Sequence, residues 1–442
     1  MPFWGIGMQP YIPDGFDYDY VNADLMLHHT SVTADGRIRV EGSAEMPDGM
    51  SYRALMLPES ARMTPELAAK LVELVTAGAT IVGPRPYNSP TLSEAATSDD
   101  KMQESAELLW ADMDGMTYTQ HATGKGMTYW GQSLDEIMSR LKLQPDFQSS
   151  RGLGHAPAWI HRSIPDAEIY FIANQTDEPA QLDARFRVAG RTAELWRPLT
   201  GARTRLTVTE TALVEDRSGN KQPGLEPAAY VAANGLSTIA LNLEAREAVF
   251  VVFPKTADAQ LAVEKPRTTL QLAKLSGPWT VSFPPHWGAP ASIQLNKLAP
   301  WTDNANEGVR YFSGTAAYTK EITVDVAWLK KGRRIMLDLG QVRDLAEVVL
   351  NGKPCGTVWT APFRVDVTDA LKAGSNRLEI RITNEWTNRI VGDRKVAAEN
   401  RVIPAENLPP AMGQFGGPQE PQTAGLLGPV RLVTTLPEPA NR

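Results

Sequence analysis

The sequence predicts a multidomain chain in which an α/β module is followed by two antiparallel β-sandwich domains. Three observations predict this. A strand, a capped helix and a second strand succeed each other before residue 83, short β-type runs separated by turn residues begin near residue 159, and another series begins near residue 275. At about 100–200 residues per domain, 442 residues accommodate several domains. We place the domains at residues 1–152, 153–256 and 268–442, with a linker over 257–267.

Composition excludes several functional classes. The chain has 51 acidic and 44 basic residues and a net charge of −7, whereas nucleic-acid-binding proteins present a basic face. Cys355 is the single cysteine, which excludes an intrachain disulfide and a multi-cysteine metal site. No apolar run approaches the about 20 residues that cross a bilayer, and residues 1–5 lack signal-peptide features. We expect no nucleic-acid partner, no membrane span and no export signal in this chain, and its compartment stays open.

The first module begins with a predicted βαβ unit. Residues 53–58 form a buried strand, Thr64 caps a helix that Gly78 ends, and residues 79–83 form the next strand. Such a crossover makes the two strands parallel. The loop over residues 58–63 has no glycine and hence no backbone cradle for a phosphate, so we expect no nucleotide cofactor.

Residues 16–24 concentrate acids among aromatic residues. One interpretation is a cluster of the carboxylates of Asp17, Asp19 and Asp24 near a sugar or a metal ion. The other, which we favour, is the start of a strand with two acids on a solvated face and Asp24 as a loop cap. We therefore predict no metal site.

The second module contains a series of short β-type runs separated by turn signals such as Thr200-Gly201. This spacing predicts a small antiparallel sandwich. No motif pairs a nucleophile with a base. His161 lies within a predicted strand, and we interpret it as a packed or surface residue rather than a ligand.

The third module alternates apolar and polar residues over several runs, and Asn351-Gly352 predicts a type I′ hairpin. Together these features predict a jelly-roll-like sandwich. A polar loop over residues 384–394 follows, in which Trp and Arg with amide and carboxylate neighbours suit a sugar. Equally, the loop could be anchored by a half-buried Trp386, with Arg389 and Asp393 paired locally. Composition does not decide between these interpretations.

Several runs of the third module resemble the sugar-binding sandwich of family 2 glycoside hydrolases. In order, they are Val-Leu-Asn-Gly-Lys (349–353), Gly-Thr-Val-Trp (356–359), Ala-Pro-Phe (361–363), Asn-Glu-Trp-Thr-Asn-Arg (384–389) and the closing strand (424–432). Upstream, three segments resemble the amidotransferase-like module that follows the catalytic barrel in several glycosidases, namely residues 16–22, 51–58 and 78–83. The order of the three modules resembles the C-terminal part of glycoside hydrolase family 106, the α-L-rhamnosidases.

The resemblance implies a fold and a function. The fold is a partial flavodoxin/amidotransferase-like α/β module, N-terminally incomplete, followed by two β-sandwich domains, the last a galactose-binding-like jelly roll. The function is that of the accessory, carbohydrate-binding portion of an enzyme that hydrolyses terminal rhamnosyl linkages with inversion. In that family the catalytic residues lie in an N-terminal (β/α)8 barrel. Such a barrel takes about 250 residues, and the three modules leave no room for one in this chain. We therefore expect a fragment that begins after the barrel, and the parent family implies a periplasmic or secreted protein.

Inverting cleavage needs two carboxyl groups about 6.5–9.5 Å apart. The candidate carboxylates are Asp17, Asp19, Asp24, Asp344, Glu347, Glu385, Asp393 and Glu420. None lies where the family places its catalytic pair, so no catalytic residue is predicted. The predicted sugar-binding residues are Trp359, Arg364, Asn384, Trp386, Asn388, Arg389 and Asp393.

Three functional hypotheses follow. The first, which we favour, is a rhamnosidase-family polypeptide without its catalytic barrel, inactive alone. The second is a stand-alone carbohydrate-binding protein without catalysis. The third is a complete glycosidase with an unrecognised site between modules. The expected partners are a rhamnose-containing glycan or glycoside and either a separate chain carrying the barrel or further copies of this chain.

Overall fold

The computed structural model describes residues 11–43, 49–92, 96–150, 156–211, 213–215, 221–223, 236–265, 267–404, 407 and 420–437. The chain divides into two units, Met1–Gln148 and Ser149–Arg442. Within the described residues strands dominate and helices are few. No helix among them combines the length and the apolar character that crossing a membrane requires.

The first unit contains a three-stranded antiparallel sheet and a four-stranded mixed sheet. The antiparallel sheet follows helix α1 (Ala23–His28), and its strands in order are β1 (Thr30–Val32), β2 (Ile38–Val40) and β3 (Met50–Tyr52). The mixed sheet and its helices comprise β4 (Leu55–Met56), α2 (Pro65–Ala77), β5 (Thr80–Val82), α3 (Ser98–Trp110), β6 (Gln120–Thr123), β7 (Gly126–Tyr129) and α4 (Leu134–Arg140). The strand order is β4-β5-β7-β6, in which β4, β5 and β7 are parallel and β6 is antiparallel.

The predicted βαβ unit is confirmed. The Thr64 side chain accepts a hydrogen bond from the backbone of Leu67, which satisfies one of the free N–H groups at the start of α2. The helix ends at Gly78, whose φ of +129° suits a residue without a Cβ. Leu71 and Leu74 are buried in the core that also contains Trp110. Burial of one helical face against the sheet therefore holds this unit together.

The prediction for residues 16–24 is wrong in detail. No strand forms over these residues, and Asn22 rather than Asp24 caps α1, since the Asn22 side chain accepts from the backbone of Leu25 at 2.8 Å. Asp19 accepts a hydrogen bond from the Tyr52 hydroxyl at 2.7 Å. Within the described residues no three His, Cys, Asp or Glu side chains are grouped so as to hold a metal ion.

The second unit begins with a small sandwich. Its two main sheets, in order β13-β12-β18-β10-β9 and β14-β17-β11-β8, are accompanied by the pair β15-β16. The strands are β8 (Phe147–Ser149, where the chain passes from the first unit), β9 (Ala158–Ile164), β10 (Ala167–Ala173), β11 (Ala180–Phe186), β12 (Ala193–Arg197), β13 (Ala202–Leu206), β14 (Thr209–Thr211), β15 (Leu213–Glu215), β16 (Lys221–Pro223), β17 (Leu236–Leu243) and β18 (Ala248–Pro254). His161 is packed as expected: its ring stacks on Tyr170 at 4.0 Å and its Nε2 lies 3.0 Å from Glu168.

A larger sandwich follows. Its sheets have the orders β19-β30-β23-β27 and β21-β20-β22-β28-β25-β26, with β24 paired to β29. Its elements are β19 (Arg267–Lys274), β20 (Trp279–Ser282), β21 (Ser292–Leu295), α5 (Glu307–Arg310), β22 (Thr315–Val324), β23 (Ile335–Asp338), β24 (Gln341–Arg343), β25 (Leu345–Leu350), β26 (Lys353–Val358), β27 (Arg364–Asp366), β28 (Gly374–Thr383), α6 (Thr387–Arg394), β29 (Gly425–Gly428) and β30 (Arg431–Pro437). Asn351 and Gly352 both have positive φ, +53° and +79°, which confirms the predicted type I′ hairpin between β25 and β26.

The core of the larger sandwich is aromatic. Trp279, Trp301, Phe312 and Tyr318 are each at most 1% exposed. The Tyr318 hydroxyl accepts hydrogen bonds from the Trp301 indole at 2.6 Å and from the backbone of Leu426 at 3.2 Å. Burial raises the pKa of Tyr318 to about 12, against the opposite effect of those two donors. The polar atoms of this core are therefore satisfied internally.

Candidate functional site

One end of the six-stranded sheet of the larger sandwich brings several predicted site residues together. Leu345 of β25 lies opposite Thr383 of β28, and β26 pairs with the other edge of β25, antiparallel in both cases. Trp359 directly follows β26, Asn384 directly follows β28, and Asp344 directly precedes β25. The strand pairing therefore brings Asp344 between the two chain segments that contain most of the predicted residues.

The segment over residues 384–394 is not the loop that its composition predicts. It contains helix α6, which begins after Trp386 and has no side-chain cap. The helix is fixed by tertiary contacts, because the backbone N–H of Arg389 donates to the buried Ser313 hydroxyl at 3.0 Å. Gly392 lies against Tyr311 so closely that a Cβ would approach that side chain to 2.6 Å. A short helix with poor local signals is thus specified by its surroundings.

Two predicted sugar ligands instead bind backbone. The Asn384 amide accepts from the N–H of Gly314 at 2.9 Å and donates to the carbonyl of Phe312 at 3.0 Å. The Asn388 amide donates to the carbonyl of Gln422 at 2.8 Å and accepts from its N–H at 2.7 Å. In both amides the oxygen accepts a hydrogen bond and the NH2 group donates one, and these bonds hold neighbouring segments in place.

Arg389 and Asp393 form a buried ion pair. Arg389 Nη2 lies 3.0 Å from Asp393 Oδ1, and the two side chains are 7% and 0% exposed. Asp393 also accepts the backbone N–H groups of Val402 and Ile403, at 3.2 and 2.7 Å. The local pairing that composition left as one of two interpretations is what the structure contains. Asp393 therefore connects the chain after α6 to the helix, while its ion pair with Arg389 lies within the helix.

Arg364 connects the two sandwiches of the second unit. Its Nη1 lies 2.8 Å from Glu244 of the segment after β17, and its Nε lies 3.0 Å from Asp338 at the end of β23. Burial lowers the pKa of the Arg364 guanidinium, but the hydrogen bonds to Glu244 and Asp338 outweigh burial and raise it above its usual value. Its Nε and Nη1 groups are therefore engaged by two carboxylates of the same chain.

The two predicted tryptophans are the exposed members of the set. Trp359 is 67% exposed and Trp386 is 62% exposed. Trp287 contacts Trp386 edge to face, with ring centroids 6.2 Å apart. The sequence interpretation missed Trp287. The available sequence signal was a tryptophan directly before a glycine, and Gly288 indeed has a φ of +82°, as in a tight turn.

The residues on either side of Trp386 in the chain line a small polar cleft. It has a volume of about 10 Å³, and its lining residues are Asp344, Asn384, Glu385, Thr387, Asn388, Gln422, Thr423 and Ala424. This volume holds about one water molecule, so the cleft accepts a hydroxyl group rather than a sugar ring. Asp344 Oδ2 accepts the backbone N–H of Glu385 at 3.2 Å, which holds the two residues together at the cleft.

The other candidate carboxylates lie elsewhere. Asp24 contacts His28 at 3.0 Å and belongs to the first unit. Glu347 lies 4.0 Å from Arg381, and Glu420 lies 3.5 Å from Lys395. Of the eight, Asp344 and Glu385 therefore share the cleft beside an exposed aromatic side chain.

Comparison with protein families gives two matches. The α-L-rhamnosidase model of glycoside hydrolase family 106 matches residues 2–210. The galactose-binding domain-like model of glycosyl hydrolase family 2 matches residues 296–410, which contain the sheet end described above.

Two known proteins are similar to the chain over nearly its whole length. A solved rhamnosidase from Novosphingobium sp. PP1Y has 31% identity and a TM-score of 0.66, over 96% of this chain and 36% of that one. A putative β-glucuronidase from Formosa agariphila has 23% identity, over 95% of this chain and 53% of that protein. The chain thus spans about a third of the solved relative and about half of the curated one. Residues 2–210 thus match the glycoside hydrolase 106 family model of α-L-rhamnosidases, and residues 296–410 match a galactose-binding-like domain of the family 2 type.

Proposed function

We propose that this chain is the accessory, carbohydrate-binding portion of an α-L-rhamnosidase-like glycoside hydrolase, one that hydrolyses terminal rhamnosyl linkages with inversion. The observation that carries the proposal is an exposed indole, Trp386, which contacts Trp287 and whose chain neighbours Glu385 and Thr387 line a polar cleft in the galactose-binding-like domain. The stand-alone carbohydrate-binding protein is the alternative, and it would use the same surface.

The chemistry of this surface suits a sugar. One face of a pyranose ring is lined by C–H groups and stacks on an indole, while its hydroxyls need acceptors at the ring edge. Asp344 and Glu385 provide carboxylate oxygens there, and Thr387 provides a hydroxyl. The indole would provide contact area for the sugar ring, and the polar groups of the cleft would orient its hydroxyl groups.

We further propose that hydrolysis is not carried out by this chain alone. The described residues contain no (β/α)8 barrel, since their parallel strands are β4, β5 and β7 together with isolated bridges. Asp393 is committed to a buried ion pair. The catalytic barrel would then lie outside residues 1–442.

The first unit we assign to the amidotransferase-like class of α/β modules. Support comes from its three parallel strands and from α2, which connects β4 to β5 as a crossover. The loop before α2 offers no phosphate cradle, because it has no glycine. A scaffold role fits this module better than nucleotide chemistry.

The test is a calorimetric titration of the chain with methyl α-L-rhamnoside. Stacking on one indole predicts that Trp386→Ala weakens binding about tenfold. Tyr118→Ala is the matched control, because Tyr118 is 63% exposed but lies in the first unit, and it should leave binding unchanged. Equal losses in the two variants, or no binding by the unmodified chain, would remove the proposed site.

A parallel assay measures hydrolysis of an aryl α-L-rhamnoside by the same folded preparation. We expect no turnover above buffer. Turnover abolished by Asp344→Asn or Glu385→Gln would instead establish a complete glycosidase and overturn the accessory assignment.

A further inference from the structure

Trp359 and Trp386 lie at the same end of one sheet, on either side of the strand that Asp344 precedes. We propose that the two indoles are successive stacking platforms of a single groove, and that the groove takes an uncharged saccharide of at least two residues. This inference rests on the proposed carbohydrate-binding function and specifies the ligand of that surface.

The spacing of the platforms follows from the sheet order. Trp359 follows β26 and Trp386 follows β28, and β25 lies between these two strands. Neighbouring strands are about 4.8 Å apart, so the two segments leave the sheet about 10 Å apart. Segments that leave the sheet about 10 Å apart suit two linked sugar residues better than a single pyranose ring.

The exposure of these side chains is not a packing requirement. Trp279 and Trp301 of the same sandwich are each 1% exposed, while Trp359 and Trp386 expose about two-thirds of their surface. A large apolar side chain in water is unfavourable unless something covers it, and two of them on one sheet end mark an interaction surface. A polar cleft lined by Glu385 and Thr387, the chain neighbours of Trp386, favours a ligand with both apolar faces and hydroxyl groups.

The charges between the platforms specify the ligand further. Asp344 and Glu385 both line the cleft, and among the described residues the Glu385 carboxylate has no hydrogen-bond donor. Hydroxyl groups would satisfy these oxygens. A uronate would bring a third negative charge next to two carboxylates. The hydrogen bond and the charge of Arg246 lower the pKa of the Asp177 carboxyl, and the charge of Arg343 lowers it further. Arg343, which directly precedes Asp344 in the chain, therefore acts on Asp177.

The experiment is a titration with α-L-rhamnose saccharides of one, two and three residues. We expect rhamnobiose to bind about tenfold tighter than methyl α-L-rhamnoside, because the second residue gains a second indole. Trp359→Ala should abolish that gain. Trp386→Ala should weaken both ligands, and Tyr118→Ala neither. Circular dichroism and urea unfolding of each variant establish that it is folded.

The outcomes separate the two proposals. Monosaccharide binding that depends on Trp386, without tighter binding of rhamnobiose or without an effect of Trp359→Ala, would overturn the two-platform groove alone. An absence of binding for all three saccharides would overturn the carbohydrate-binding function as well. Equal affinity for rhamnobiose and for a rhamnosyl uronate disaccharide would contradict the specificity for uncharged ligands.

Discussion

The segment over residues 384–394 has two faces with opposite environments. On its inner face, Asn388, Arg389 and Asp393 are buried and bond to backbone or to each other. On its outer face, Trp386 is 62% exposed, and its chain neighbours Glu385 and Thr387 line the cleft. The comparison teaches that the polar groups here fix the chain, while the aromatic group remains available to a ligand. Binding chemistry is thus carried by a side chain whose position depends on its buried neighbours.

The largest expected effect on stability comes from removing a charge from the inner face. Asp393→Asn would leave the buried Arg389 guanidinium without its counter-ion, and we expect a loss of about 3–5 kcal/mol in the free energy of unfolding. Urea denaturation measures it. Lys395→Met is the matched control, because Lys395 pairs with Glu420 at the surface, and it should show no measurable loss. If Asp393→Asn were as stable as this control, the ion pair would not anchor the segment.

A smaller effect is expected where Arg364 connects the two sandwiches. Arg364→Met would leave the buried Asp338 carboxylate without its cation, while the more exposed Glu244 is screened by solvent. We expect a loss of about 1–2 kcal/mol in the free energy of unfolding. The unmodified chain should approach the variant as salt is raised, because screening weakens the link to Glu244. An unchanged difference between 0.05 and 1 M salt, over which the screening length falls about 4.5-fold, would contradict this assignment.

Much of the fold follows from local sequence signals. Thr64 and Gly78 predict the ends of α2, and Asn351-Gly352 predicts the hairpin between β25 and β26, because caps and turns depend on a few adjacent residues. Helix α6 has no such signal. It depends on Ser313 and on the ion pair of its own buried face, which only the folded chain brings into register. Composition over 384–394 therefore predicts a loop where a helix forms.

The candidate site shows the same limit. Asn384, Asn388, Arg389 and Asp393 are residue types that bind sugars, and their types alone do not tell whether their polar groups are already used. Their partners lie far away in sequence: Asn384 binds backbone about 70 residues upstream. The two tryptophans predicted with them are the members that remain exposed.

The smallest expected effect on stability concerns the two exposed tryptophans. Replacing both Trp359 and Trp386 with alanine should change the free energy of unfolding by less than about 0.5 kcal/mol, because neither side chain is buried in the core. Trp301→Ala is the contrast: Trp301 is 1% exposed and donates to Tyr318, so its loss should cost about 3–5 kcal/mol. Urea denaturation of the two variants side by side measures both. A destabilised double variant would mean that the exposed indoles support the sheet end, and that their exposure is not kept for a ligand.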